Sequence, residues 1–184
     1  MKYTYDFEFI EDGKTIEPIS MGMVNMDNGQ ELYLVFNDFD TRKVAKNNWL
    51  MENVMPSIDH STLVTADFQG KPLVRDLIIT DPNSVNRSEG AQRLMEFVSN
   101  DPTEIEWWNW YGAYDHVALC QLFGKMIDLP KGFPMYSNDI KQLHKLAGWV
   151  AMPKQPSGLH NSLEDARFNV VRYNYLWELL TEKK

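Results

Sequence analysis

The chain has 184 residues, 43% of them hydrophobic and 24% charged, which is the size and composition of one soluble domain able to bury a core. A formal net charge of −8 argues against a protein that coats long duplexes by phosphate attraction, and a single cysteine, Cys120, excludes an intramolecular disulfide. No apolar run approaches the ~20 residues of a membrane span, and the start Met1-Lys-Tyr-Thr-Tyr-Asp6 lacks a signal-peptide pattern. A cytoplasmic, reducing location with no membrane partner is the expectation.

In chain order, Lys2 to Ile10 alternates and is rich in Tyr and Phe, as a strand would be. Pro18 to Met26 reads as a second strand and Glu31 to Phe36 as a third. Asp27-Asn28-Gly29 between them is a hairpin signal, because Asn-Gly tolerates the positive φ angles of tight turns. An antiparallel meander follows from these three. Asp40 to Val54 has the pattern of a helix starting near Thr41. Residues 56–85 hold Pro56, Gly70, Pro72 and Pro82, and read as a loop-rich insertion with a short strand at Leu77–Thr80.

Ser88 to Val98 has helical spacing, Glu104 to Tyr111 is a β-like aromatic run, and Asp115 to Met126 reads as a helix. Cys120 lies in the apolar run from His116 to Phe123, the setting of a buried thiol rather than a nucleophile. Asn138 to Ala147 is a further helix with Gly148 as its stop, and Asn161 to Leu180 is the longest, with Asn161 and Glu164 as its capping signal. A single α/β domain over 1–184 is implied, with a mixed sheet and helices on both faces.

Three groups of residues carry chemistry. Asp6 and Glu8 are two apart on the first strand, so both carboxylates share one face, with Tyr5, Phe7, Phe9 and Ile10 around them. Like charges so placed are costly unless a cation neutralises them. Asp115 stands at a strand-to-helix junction, where an N-cap and a ligand position are both open readings. Asp165 lies one turn inside the last helix and His160 just ahead of it, which suits a general base beside a helix-held carboxylate and equally a solvated surface patch. Charge is also uneven along the chain: residues 1–119 carry 9 Lys and Arg against 20 Asp and Glu, residues 120–184 carry 9 against 6. A basic C-terminal third beside an acidic, metal-loading region is one reading of that asymmetry.

Taken together, Asp6-Phe-Glu8, Tyr114-Asp115 and His160-Asn-Ser-Leu-Glu-Asp165 resemble the RNase T/DnaQ-like 3′-5′ exonucleases of the DEDDh group, within the ribonuclease H-like superfamily. Order, spacing and context match over nearly the whole chain. Tyr5 to Gly13 and Tyr111 to Gln121 are most similar to the small exoribonucleases of the mycobacterial type. One departure is Tyr111-Gly112-Ala113, where proofreading members carry a His-Asn-Ala-type motif. That change points away from a polymerase proofreading subunit.

The resemblance implies a metal-dependent exoribonuclease that removes nucleoside 5′-monophosphates from single-stranded RNA 3′ ends. Two divalent cations, Mg²⁺ or Mn²⁺, would be held by Asp6, Glu8, Asp115 and Asp165, with Asp6 shared between them and His160 as the base. Phe9, Ile10, Trp110 and Tyr114 are near the motifs and are the residues expected to bind the nucleotide. A homodimer is a further implication, although the aromatic supply, Trp107, Trp108 and Trp177 included, serves an interface or a core equally. The alternatives are a DNA or mixed-specificity exonuclease on the same site, and an inactive nucleic-acid-binding homologue.

Overall fold

Strand β1, Lys2–Glu11, sends its odd and even residues to opposite faces, and the two faces have different fates. Tyr3, Tyr5 and Phe7 are buried in the main apolar cluster, where rings of Tyr3 and Tyr5 meet Trp107. Thr4, Asp6 and Glu8 take the other face. In this computed structural model, which describes residues 1–67, 69–99 and 104–182, β1 is an inner strand of a six-stranded sheet.

It pairs antiparallel with β2, Ile16–Asn25, which pairs antiparallel with β3, Glu31–Phe36. Asn25 Oδ1 accepts from the amides of Asp27 and Asn28 in the connecting turn, and Gly29 has φ 75°, so the expected meander and its turn chemistry are both present. On the other side β1 runs parallel to β7, Glu106–Asn109, and β7 to β8, Asn138–Asp139, while β6, Ser84–Val85, runs parallel to β3.

Helices cover both faces, as expected of a mixed α/β sheet. Leu94 and Val98 of α3, Arg87–Ser99, and Ala118 and Leu119 of α4, Ala113–Gln121, join Tyr3, Tyr5 and Phe7 in one core. Opposite lie α5, Ile140–Leu146, and α6, Ser162–Thr181, whose Ile140, Leu143, Tyr173 and Leu176 pack with Trp108 in a second core. Trp107 and Trp108 are therefore core residues, while Trp177 stays 44% exposed. No helix among the described residues is long and apolar enough to cross a membrane.

Three expectations are corrected. The helix over Asp40–Val54 is two short ones, α1, Thr41–Lys46, and α2, Asn48–Asn53, because the chain extends at Asn47, whose side chain caps α2 through Leu50 N–H. Residues 56–85, outside residue 68, are not mainly loop: β4, His60–Ala66, and β5, Pro72–Ile79, form an antiparallel hairpin with its own register. Leu77 anchors it in the main core, and Asp76 accepts hydrogen bonds from Thr41 and Arg42 of α1. The helix expected over Asp115–Met126 begins at Ala113, ends at Gln121, and is followed by a separate 3-10 turn at Met126–Asp128.

The first turn of α6 rests on the sheet backbone. Gly22 of β2 stands opposite Asp6, and a Cβ there would lie 2.3 Å from backbone atoms of Ser162 and Leu163. Beside it the buried hydroxyls of Ser20 and Ser162 are 3.0 Å apart, and Thr4 donates to the Ala166 carbonyl at 2.9 Å. Gly22→Ala should therefore push α6 off the sheet. A loss of about 3 kcal/mol in urea unfolding is expected, since backbone cannot yield as a side chain can; an unchanged midpoint would show that the approach is not as tight as described.

Candidate active site

The acidic residues arrive by three routes. Asp6 and Glu8 come from the β1 face that meets α6. Asp165, on α6, is brought to them by the Gly22 contact. One oxygen from each of Asp6, Glu8 and Asp165 can be chosen so that all three lie within 4.8 Å of one another.

Asp115 arrives from the strand edge. The pairing of β1 with β7 covers only Lys2 to Thr4, and beyond it the two chains diverge. The chain leaves β7 through Tyr111, at φ 59°, and Gly112, where a Cβ would strike the Asn109 side chain at 1.8 Å. Helix α4 then starts, and Asp115 Oδ1 accepts the freed amide of Phe7 at 2.7 Å. Gly112, not Asp115, is the N-cap, so the capping reading of Asp115 gives way to a carboxylate that braces β1 and borders the cluster. Its neighbour His116 turns away, with Nδ1 3.0 Å from the Tyr5 hydroxyl.

His160 has φ 63° and directly precedes Asn161, whose side chain accepts from the amides of Leu163 and Glu164 to cap α6. The His160 amide donates to Asp165 Oδ2 at 2.8 Å. Its Nδ1 is 3.9 Å from Glu8 Oε1, and its ring meets Trp49 edge to face at 4.9 Å. The ring is thus positioned on two sides while remaining 39% exposed.

These five residues border one open cavity of about 300 Å³, together with Phe9, Trp110, Tyr111 and Arg172. An adjoining hollow of about 200 Å³ lies between Phe9, Trp49 and Leu50. Among the expected nucleotide contacts, Phe9 and Trp110 face the cavity. Tyr114 is 49% exposed, meets Phe9 edge-on at 6.0 Å, and borders a different hollow beside Glu11 and Lys14. Ile10 does not reach the cavity: it is a core residue. Beside it the β1–β2 ladder slips, with Glu8 paired to Ser20 and Phe9 to Pro18, which leaves Ile19 of β2 as the extra residue.

Two residues were not singled out by the sequence reading. Trp49 is half-exposed against His160. Arg172 lies two helical turns beyond Asp165, a spacing of seven that places both on one side of α6 and could have revealed it. Its guanidinium sits 4.8 Å from the Trp110 ring centre, donates to Asn169 Oδ1 at 2.7 Å, and offsets part of the charge of Asp6 and Asp165.

Electrostatically the cluster is frustrated. Burial, then the charge of Asp115, Glu8 and Asp165, hold the Asp6 carboxyl well above its ordinary range. Burial, with Asp165 and Asp115, pushes Glu8 up to about 8. Burial pushes Asp115 up to about 7 against the opposing Phe7 amide, and raises Asp165 as well. Hard oxygen ligands that are crowded and short of positive charge fit Mg²⁺ or Mn²⁺ rather than a softer ion.

Because the folded cluster holds protons that the unfolded chain would release, its contribution to the stability of the metal-free protein should be fully present below about pH 4 and lost as pH rises towards 8. Differential scanning fluorimetry in chelator should show a falling Tm across this window. Glu8→Gln should raise Tm at pH 8 by about 3 °C and flatten the upper part of the profile; a wild-type profile that rises with pH would contradict the proposed crowding.

Comparison with known proteins bears on this site. The family model described as the 3′-5′ exoribonuclease Rv2179c-like domain matches residues 1–177. The 3′-5′ exoribonuclease of Mycobacterium tuberculosis, found in two strains, is 38% identical over 177 residues, covering 96% of this chain and 93% of the relative. Among solved structures, the RNase domain of the yeast Pop2 protein aligns with a TM-score of 0.53 at 12% identity, covering 98% of this chain and 76% of that one, a likeness of fold alone. Matched along nearly its whole length, the chain belongs to the 3′-5′ exoribonuclease Rv2179c-like family.

Proposed function

We propose that this protein is a 3′-5′ exoribonuclease that releases nucleoside 5′-monophosphates from single-stranded RNA ends, with Mg²⁺ or Mn²⁺ held by Asp6, Glu8, Asp115 and Asp165. The convergence of four carboxylates from β1, α4 and α6 with His160 around one cavity carries the reading, and family membership supports it. Two divalent ions bound there would acidify a water and stabilise the charge that develops on the departing 3′ oxygen.

The chain's own residues supply the remainder. His160 takes the proton from the attacking water. It is suited to that task because its backbone is tied to Asp165 and its ring abuts Trp49, while the ring itself stays open to the cavity. Glu8 Oε1 lies 3.9 Å from His160 Nδ1, which keeps the ring beside the carboxylates. Phe9, Trp49 and Leu50 offer apolar surface for the terminal base in a hollow that Glu8, Glu11 and Asn47 also border. Arg172 brings a positive charge to the lining of the cavity, towards which a phosphate can be drawn.

His160→Ala should lower turnover of a 5′-labelled RNA oligomer by about 10²- to 10⁴-fold, while the rise in Tm on adding Mn²⁺ remains. Full activity in that variant would remove His160 as the base. Hydrolysis should require added Mg²⁺ or Mn²⁺ and stop in chelator; undiminished turnover in chelator would overturn the metal-assisted reaction. Matched RNA and DNA oligomers in the same assay decide the sugar preference, with faster loss of 3′ nucleotides from RNA expected.

A further inference from the structure

One wall of the cavity carries chemistry that the reaction above does not use. Past Trp110 and Tyr111, which border the cavity, the surface continues onto α5 and the loop behind it as a run of rings. Trp110 stacks on His144 with centroids 6.0 Å apart and planes 29° from parallel, and His144 meets Trp149 edge to face at 5.1 Å. The Lys141 ammonium lies 4.5 Å from the centre of the Trp110 ring, 5.1 Å from that of Tyr111 and 5.4 Å from that of Trp149. Trp110 is partly buried in this arrangement, but the rings at the two ends are not: Tyr111 is 62% exposed and Trp149 57%.

Both exposed rings are carried on backbone in the left-handed region, φ 59° for Tyr111 and 58° for Trp149, which bulky L-residues rarely adopt. Specific contacts hold each one. Asp139 Oδ1 accepts from the Tyr111 amide at 3.2 Å and from the Lys141 amide at 2.8 Å, so one carboxylate braces both the tyrosine and the turn that bears the lysine. At the far end of α5 the Trp149 amide donates to the His144 carbonyl at 3.0 Å, and His144 Nε2 lies 2.8 Å from the Val150 carbonyl oxygen. Large rings kept in water by an unfavourable backbone and dedicated hydrogen bonds are characteristic of binding surfaces.

We propose that Tyr111, Lys141 and Trp149 form a subsite for the nucleotides that precede the scissile phosphate. The two exposed rings stack unpaired bases, and the Lys141 ammonium pairs with the backbone phosphate that passes between them. The occupant is a single strand: flat exposed rings match unpaired bases of any sequence, and a cation among them matches the linking phosphate. The surface is continuous with the cavity through Tyr111, so a strand whose 3′ end lies at the carboxylates reaches it without a break. Lys141 and Arg172 also concentrate positive charge here on a chain whose net charge is −8. This subsite rests on the exonuclease reading of the cavity.

The test compares a substrate that fills only the terminal position with one that spans the subsite. The p-nitrophenyl ester of a nucleoside 5′-monophosphate is the first, and a 5′-fluorescein oligouridylate of about eight nucleotides is the second. Trp149→Ala should raise KM for the oligomer about tenfold, near the lower end of what a lost base–ring stack costs, with the ester's KM little changed. Trp149→Phe should restore most of the loss, and Lys141→Ala should weaken oligomer binding and its dependence on salt. Fluorescence anisotropy of the same oligomer in chelator at low salt reads affinity without turnover, so it decides the subsite even if wild type hydrolyses neither substrate and the exonuclease reading fails. The inference is overturned by equal oligomer affinity and KM in wild type and Trp149→Ala, by an equal loss on both substrates, or by an oligomer that wild type neither binds nor cleaves. Unchanged oligomer binding with lost self-association in sedimentation velocity would give the surface to a second copy of the chain, and would overturn it as well.

Discussion

The first turn of α6 lies directly on the backbone of β2 at Gly22, and the position of the acidic cluster follows from that approach. Any side chain at residue 22 would hold Ser162 and Leu163 away, and with them Asp165. Around the contact the two elements are joined by groups that tolerate no gap: the paired hydroxyls of Ser20 and Ser162, and the Thr4 hydroxyl on the Ala166 carbonyl. Arg167, one turn further, makes a two-point ion pair with Glu31 at 2.7 and 2.5 Å, tying the helix to β3 as well. With both side chains partly exposed, that pair guides the helix more than it stabilises it.

The fold thus places together charges that oppose it. One face of β1 fills a dense aromatic core with Tyr3, Tyr5 and Phe7, and the opposite face of the same strand carries two carboxylates that burial makes hard to ionise. The apolar face gives β1 its fixed position, and the acidic face uses that rigidity. Asp115 belongs to both sides of this balance. It adds negative charge to the cluster, yet it also accepts the Phe7 amide where β1 has lost its partner on the β7 side, so the carboxylate has a structural task in addition to its proposed chemical one.

How far the site was legible depended on whether its geometry is local. A period of two put Asp6 and Glu8 on one face, and the capping pattern at Asn161 put Asp165 inside a helix with His160 outside it; both are short-range relations that a sequence displays. Ile10 and Phe9 show the limit. Both follow Glu8 closely in the chain, but only Phe9 borders the cavity while Ile10 is buried in the core, and nothing in β1 itself announces which of them its tertiary neighbours will cover. For Asp115 the sequence leaves cap and ligand both open, because the helix start at Gly112 carries no capping side chain to mark it. The hairpin from His60 to Ile79 reads in the sequence as loop with one short strand because β4 is mostly exposed, and Gly and Pro sit among residues without a strong alternating pattern. Trp49 joins the site only through the tertiary placement of α2, a relation no local pattern records.

The join between β1 and α6 also sets the order in which the protein becomes itself on the ribosome. Thr4 and Ala166 are 162 residues apart in the chain and hydrogen-bonded in the fold. At typical rates of translation, roughly 10–30 s separate the synthesis of the two partners. Throughout that interval the nascent chain displays Asp6 and Glu8 without Asp165 or His160. A set of carboxylates assembled from both halves of the chain is completed only when α6 emerges and docks, so the nascent chain beside messenger and ribosomal RNA carries no finished site until that step.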